Sequence, residues 1–464
     1  MSSFRPLIED FTATIDALRD FVDSVGPVLL ERQENALKSE AEVMAPFHAA
    51  ALLATEDISA VDLPTEMKKT LVAAREILTG SSQNTPPEKA IEFGDSIRKK
   101  VPIKIVNGKV EIDLDQPAAL RIMVHRRATE QLRNEVRLLR ESSLMVLTTR
   151  SEWFVAQLVH LFFKRWPDAA GTSEPFFSLN TLASLQTIDE ARDVLIEHKV
   201  ESLMRLSFDD WIKFFRQKPK LGMGYLGNDT HRIGEIFRRR NLIVHNGGRV
   251  SRRYIQEVDE PLRMGLKLGD TIDVTPEYLH GSADLIEHLF VLIAAELWKK
   301  LDPEDDARGQ LLQNLSVQRI REHRWAMARG FAYFVMNDNR LPEFTQLAAR
   351  VNYWQTFKWA GQYDQIRAEV DACDFSAKNP LFQFALATIK DDFESVFRLL
   401  PAVLENRHLS RYELLDWPLF QAVRERPEFV TYMPQTDSGN NRSEASAEAC
   451  DTSHGGSPTE ASTN

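Results

Sequence analysis

Residues 231–254 read HRIGEIFRRRNLIVHNGGRVSRRY, and the pattern inside this stretch sets the fold class. Wound at about 100° per residue, Ile236, Phe237 and Val244 fall within roughly 60° of Ile233, so the segment is a helix with an apolar stripe. Arg240 lands on that stripe. A guanidinium so placed costs free energy unless a carboxylate, a carbonyl or a ligand phosphate answers it. His245 follows about 140° further round, with Asn241 between the two in angle. Gly247-Gly248 then stops the helix, because glycine readily takes the left-handed conformation that closes a helix C-terminus. Arginines at 232, 238, 239, 240, 249, 252 and 253 stand against one acid, Glu235, so a polyanion would dock here.

Helical patterns continue on both sides. Residues 117–147 and 151–166 read as two amphipathic helices, the second closed by Pro167. Further helices span 187–199, 207–217 with Ser207 as N-cap, 230–246 and 276–300. Residues 137–302 therefore read as an antiparallel helical bundle. The N-terminal region, 1–136, carries helix-period positions such as Phe11, Ile15, Leu18 and Phe21, then Leu71, Ala74 and Leu78. Near 102–113, Ile103, Ile105 and Val110, Ile112 flank Asn107-Gly108, the preferred pair for a type I′ β-hairpin turn.

From 303 to 434 the pattern is one of helical hairpins, with Ala348, Ala349, Ala360, Ala385 and Ala387 interleaved among large aromatics. Pro342-Glu343-Phe344 recurs as Pro427-Glu428-Phe429 without an exact period, so a degenerate TPR-like array and an irregular helical domain both fit. Residues 435–464 hold ten Ser or Thr and almost no large apolar side chain, which predicts a disordered tail. The fold class is all-α.

With 43% hydrophobic and 27% charged residues in 464, the chain has globular composition and apolar material for more than one core. Its net charge of −11 argues against nonspecific coating of nucleic acid and leaves room for a local basic site. Cys373 and Cys450 make neither a disulfide framework nor a metal cluster. The longest apolar run, 289–295, is too short to cross a bilayer and no signal core opens the chain, so the expectation is a cytoplasmic protein without a membrane partner.

Arg240-Asn241-Leu242-Ile243-Val244-His245, followed by Asn246-Gly247-Gly248 and later Tyr254, resembles the motif of HEPN domains, an arginine and a histidine with four to six residues between them. The resemblance covers residues 137–302 and implies a bundle of four or five antiparallel helices. It also implies a metal-independent endoribonuclease without cofactors, of the kind found in toxin–antitoxin, abortive-infection and other antiphage defence systems. Such domains commonly form homodimers in which two motifs line one cleft. Carried onto this chain, the resemblance makes Arg240 and His245 catalytic and Asn241 a supporting polar group. Its partners would be RNA, a second copy, and an antitoxin or trigger-sensing protein. HEPN families controlled by a nucleotidyltransferase antitoxin place a tyrosine two residues after the histidine; Gly247 stands there instead.

The chemistry is coherent on its own terms. RNA carries its own nucleophile, so a site needs only to deprotonate the 2′-hydroxyl, stabilise the phosphorane and protonate the 5′-oxygen. Imidazole suits the proton transfers and a bidentate guanidinium suits the phosphoryl oxygens. Arg238 and Arg239 read as a solvated basic face adding RNA affinity, and Arg249, Arg252 and Arg253 as phosphate contacts beyond the helix break.

Plainer assignments stand beside these. Arg240 could pair with a bundle carboxylate such as Glu152 or Glu201, and His245 could bond a free helix-end carbonyl. His125, His160, His198 and His280 have no neighbour at metal-ligand spacing. Gly222-Met223-Gly224-Tyr225-Leu226-Gly227 matches a Gly-x-Gly-x-x-Gly string but lacks a βαβ setting, and reads as a flexible loop. Trp354, Trp359 and Trp417 read as core residues of helical hairpins. The rival functions are a non-catalytic HEPN-like scaffold for dimerisation or RNA binding and, further off, a helical-repeat adaptor.

Overall fold

A computed structural model describes residues 4–55, 57–58, 61–81, 87–113, 116–171, 185, 187–227 and 229–432. The expected disordered tail, 435–464, lies outside them, as does Cys450. The described chain is all-α apart from one two-stranded antiparallel hairpin, and none of its helices is long and apolar enough to cross a membrane.

The first helices are α1 (Phe4–Ala54), α2 (Thr65–Thr79) and α3 (Glu88–Lys100). Strands β1 (Ile103–Val106) and β2 (Lys109–Ile112) follow, with Ile103 opposite Ile112 and Ile105 opposite Val110. Asn107 and Gly108 turn the hairpin at φ 54° and 75°, the two positive values a type I′ turn requires. Val110 is buried with Leu71, Ala74 and Leu78 of α2, so the hairpin caps a small core against the end of α1.

The two helices expected over 117–147 and 151–166 are one helix, α4 (Gln116–Arg165), of 50 residues. The intervening Thr148 and Ser151 do not break it, because their hydroxyls donate to the carbonyls of Leu144 at 2.9 Å and Leu147 at 2.7 Å, one turn back. The expected boundary at 136/137 therefore falls inside a continuous helix. α1 lies along α4 and along α10 (Pro276–Leu301), with the Phe11 ring stacked 4.1 Å from Phe154 and 6.3 Å from Phe290. The N-terminal helix shares the bundle core instead of forming a region beside it.

Between α4 and α10 run α5 (Ile188–Met204), α6 (Phe208–Gln217), α7 (Asp229–Asn246), α8 (Arg252–Glu257) and α9 (Glu260–Arg263). Ser207 caps α6, as its sequence position predicts, and Thr187 caps α5; each hydroxyl accepts from the backbone N–H three residues on. Contacts divide the chain into one unit of Met1–Ser316 with Arg329–Gln346 and a second of Val317–Ala328 with Leu347–Asn464. The first unit runs past the expected end at 302 because Asp338 is buried between Lys299, at 2.9 Å, and Arg308, at 2.8 Å. That pairing ties α10 to α11 (Ala307–Arg321) and to the turn after α12 (Trp325–Met336).

Within this first unit Gly330 of α12 meets His288 of α10, and a Cβ at Gly330 would overlap the imidazole. Gly330→Ala is expected to cost about 1–3 kcal/mol by overpacking, read from the urea midpoint. An unchanged midpoint would show that the ring has room to move. Burial also pulls the His288 pKa from 6.5 down to about 4. The unfolded chain thus binds the proton more readily than the folded one. The stability contributed by the neutral ring is complete above pH 6.5 and is lost as pH falls toward 4. Urea unfolding at pH 7 and pH 5 should differ by roughly 2 kcal/mol from this group, and His288→Gln should remove that part of the difference.

The second unit has its own core. Trp354 of α13 (Glu343–Trp359) is fully buried with Val370 of α14 (Arg367–Ala372), Phe384 of α15 (Pro380–Ile389) and Leu400 of α16 (Phe393–Glu405). α15 and α16 form a helical hairpin, and α17 (Arg411–Asp416) and α18 (Gln421–Arg424) add Leu414 and Val423 to the same cluster. Trp417 packs on it and donates to Asn352 at 3.2 Å.

Candidate active site

The site is built on α7. Ile233, Ile236, Phe237 and Leu242 are buried, and the Phe237 ring lies 5.6 Å from Phe208 and 5.4 Å from Trp211 of α6. Val244, expected on the same stripe, is 48% exposed, since α7 has left its neighbours by its last turn. Gly247 and Gly248 end the helix at φ 58° and 73°. Gly248 N–H donates to the Leu242 carbonyl at 3.0 Å, while its own carbonyl accepts from Ile272 at 2.7 Å. The turn after the motif is thereby stitched to the segment before α10.

Arg240 and His245 line one cleft of about 670 Å³, together with Asn241, Glu152, Arg238 and Arg253. The Arg240 side chain is mostly buried; Nη2 is paired with the Glu152 carboxylate of α4 and Nη1 donates to Asn241 Oδ1 at 3.0 Å. Burial lowers the pKa of this guanidinium from its ordinary value. Of the two carboxylates considered as partners, Glu152 is engaged and Glu201 is not; Glu201 instead lies 3.5 Å from Arg205. His245 is exposed, and no bond ties its ring to a helix-end carbonyl among the described residues.

The remaining arginines divide in a way the sequence did not suggest. Arg239 is not on a solvated face: it is 4% exposed, with Nε donating to Glu235 at 2.8 Å and Nη1 to the Asp273 carbonyl at 2.5 Å. Its guanidinium also lies 3.9 Å from the Tyr278 ring centroid. Arg238 is three-quarters buried and bridges Asp209 at 2.9 Å and Glu257 at 3.1 Å. Neither arginine is a free basic surface: carboxylates of α6 and α8 reach Arg238, and Glu235 of α7 itself answers the buried Arg239. Arg253 lines the cleft but is paired with Glu257 at 2.7 Å. Burial pushes the Glu257 carboxyl up, yet Arg253 and Arg238 together hold it below its ordinary value. Arg249 and Arg252 are exposed and outside the cleft lining, Arg249 donating to the Gly269 carbonyl at 3.3 Å.

Three charged residues of the cleft, Arg205, Asp209 and Glu257, have no site role in the sequence pattern. Each comes from another helix or helix end, and only Asp209, two residues past the Ser207 cap, lies near a recognised signal. The assembled chemistry is one imidazole open to solvent, one carboxylate-anchored guanidinium and two amides, Asn241 and Asn246, in a cleft whose other cations are matched by acids. No group of three or more metal-ligating side chains occurs among the described residues. Compared with family models, with curated proteins and with solved structures, the chain finds no match in any of the three.

Proposed function

We propose that the chain is an RNA-cleaving endoribonuclease of HEPN type, acting without a metal. The observation that carries this reading is the meeting of Arg240, Asn241 and His245 on one open cleft large enough for a nucleotide. His245 would relay protons, taking one from the ribose 2′-hydroxyl or giving one to the departing 5′-oxygen. As the 2′-oxygen bonds to phosphorus, the bond from phosphorus to the 5′-oxygen breaks, leaving a 2′,3′-cyclic phosphate and a 5′-hydroxyl. Arg240 would hold the phosphoryl oxygens: its Nη1 and Nη2 each carry a second N–H beyond those given to Asn241 and Glu152. Glu152 keeps the fork in place while charge develops. A toxin or antiphage setting, a homodimer and control by an antitoxin or trigger-sensing protein follow from the HEPN resemblance alone, whereas the cytoplasmic expectation rests on the chain's apolar pattern.

Incubating purified protein with total RNA in EDTA tests the reading. Fragments ending in cyclic phosphate and 5′-hydroxyl are expected; intact RNA, or cleavage that EDTA abolishes, overturns it. The scaffold reading draws on a separate observation, the pairing of Arg238, Arg240 and Arg253 with carboxylates, which leaves little net positive charge for RNA in the cleft. Expression in cells separates the two. Growth arrest by the parent chain and not by Arg240→Ala or His245→Ala favours cleavage; equal growth of all three favours the scaffold.

A further inference from the structure

Beyond the motif cleft, the Gly222-to-Gly227 loop that precedes α7 is organised around an anion. The N–H groups of Gly222 and Met223 both donate to the Glu296 carboxylate of α10, at 2.5 and 3.2 Å, and the Tyr225 hydroxyl donates to it at 2.9 Å. Successive backbone N–H groups converging on one carboxylate make the concave arrangement that elsewhere holds phosphate. Met223 sits at φ 49°, a left-handed value that the three bonds to Glu296 help to hold. The loop expected to be flexible is therefore pinned, and its anion is supplied by the chain itself.

A second cleft, of about 660 Å³, opens beside this loop. Lys220 and Lys300 line it, both exposed and both without a carboxylate partner among the described residues, and Arg340 lines it with one terminal nitrogen 3.2 Å from exposed Glu304. Half-buried Phe334 supplies an apolar surface in the same lining. In the motif cleft most cations are matched by acids; here two ammonium groups are left unmatched around a cavity. The only lining carboxylate among the described residues, Glu296, already accepts three hydrogen bonds from the loop.

We propose that this cleft binds a nucleotide, with its polyphosphate on Lys220, Lys300 and Arg340 and its base against Phe334. The volume suits a ligand of that size, and flexible ammonium groups serve phosphate as point charges, whereas a ring face serves a base. RNA bound along the surface would call for a continuous basic track, and the acids at Glu296 and Glu304 interrupt one here. Since the loop leads directly into α7, the ligand sits one short connection from the helix that carries Arg240 and His245. The site itself does not depend on the ribonuclease reading.

Isothermal titration of the full chain with ATP, with inorganic triphosphate and with a short single-stranded RNA tests the proposal. ATP is expected to bind the parent, and Lys220→Ala/Lys300→Ala to weaken it at least tenfold. Both lysines are exposed, so an unchanged melting temperature should accompany the loss. Phe334→Ala is expected to weaken ATP and leave triphosphate unchanged. No binding of ATP at millimolar concentration, binding that survives loss of both lysines, or lysine-dependent binding of the RNA alone would each overturn the proposal. Triphosphate binding as tightly as ATP would overturn the role of Phe334. His245→Ala, tested for ATP binding in parallel, should be unaffected, so failure of RNA cleavage and failure of this site are read separately.

Discussion

His245→Ala is expected to lower RNA cleavage by about 10²–10⁴-fold, the usual contribution of a positioned proton-transfer group, with no change in melting temperature. The second half of that expectation follows from the structure: the imidazole is exposed and makes no bond that folding would lose among the described residues. Arg240→Ala should lose activity to a similar degree by removing the phosphoryl grip. It should also cost some stability, because Glu152 is left on the cleft wall without its partner. Arg240→Lys is the sharper variant. It keeps the positive charge beside Glu152 but cannot span Glu152, Asn241 and a phosphate with one planar fork, so activity should stay low while stability recovers. The measurement is the rate of cleavage of an end-labelled RNA in EDTA alongside thermal melts. Parent-level cleavage by His245→Ala would end the mechanism, and full activity in Arg240→Lys would reduce the arginine to a point charge.

What could be read in advance was local. Asn107-Gly108 specifies its turn through two residues' own φ preferences, Ser207 specifies a helix start through one hydroxyl, and Gly247-Gly248 specifies a helix end. Arg240, Asn241 and His245 share a cleft because they share one helix and its last turn, so angular spacing was enough to bring them together. Two of the three failures were non-local, and the first was not. The unity of α4 depends on hydroxyls of Thr148 and Ser151 choosing carbonyls one turn back over turning the chain. The burial of Arg239 depends on Glu235 one turn earlier and on Tyr254 and Tyr278 arriving from α8 and α10; a single apolar stripe cannot show that α7 is enclosed on its polar side too. The range of the first unit depends on α1, more than 100 positions away in sequence, stacking Phe11 on Phe154.

Glu235→Ala is expected to be the most destabilising single change near the site, at about 3–5 kcal/mol, because it removes one partner of a buried ion pair. Glu235 Oε1 accepts from Arg239 at 2.8 Å and from the Tyr254 hydroxyl at 2.6 Å, and Oε2 accepts from the Tyr278 hydroxyl at 2.6 Å. Burial first, and then the Glu235 charge itself, push both tyrosine hydroxyls up from their ordinary pKa, so both are neutral donors to the carboxylate. Alanine would therefore strand a guanidinium, one of whose nitrogens already lacks a partner among the described residues, and two phenols in the interior. Glu235→Gln tests which part of that loss is charge. The amide oxygen still accepts from one of the tyrosines, so a cost well below that of alanine assigns the balance to unmet hydrogen bonds, whereas equal costs assign it to the unpaired Arg239. The network joins α7 to α8 and α10, and its Tyr254 lines the cleft. Urea unfolding of both variants, set beside their cleavage rates under native conditions, should show stability lost first and activity lost only where α7 no longer holds Arg240 toward Glu152.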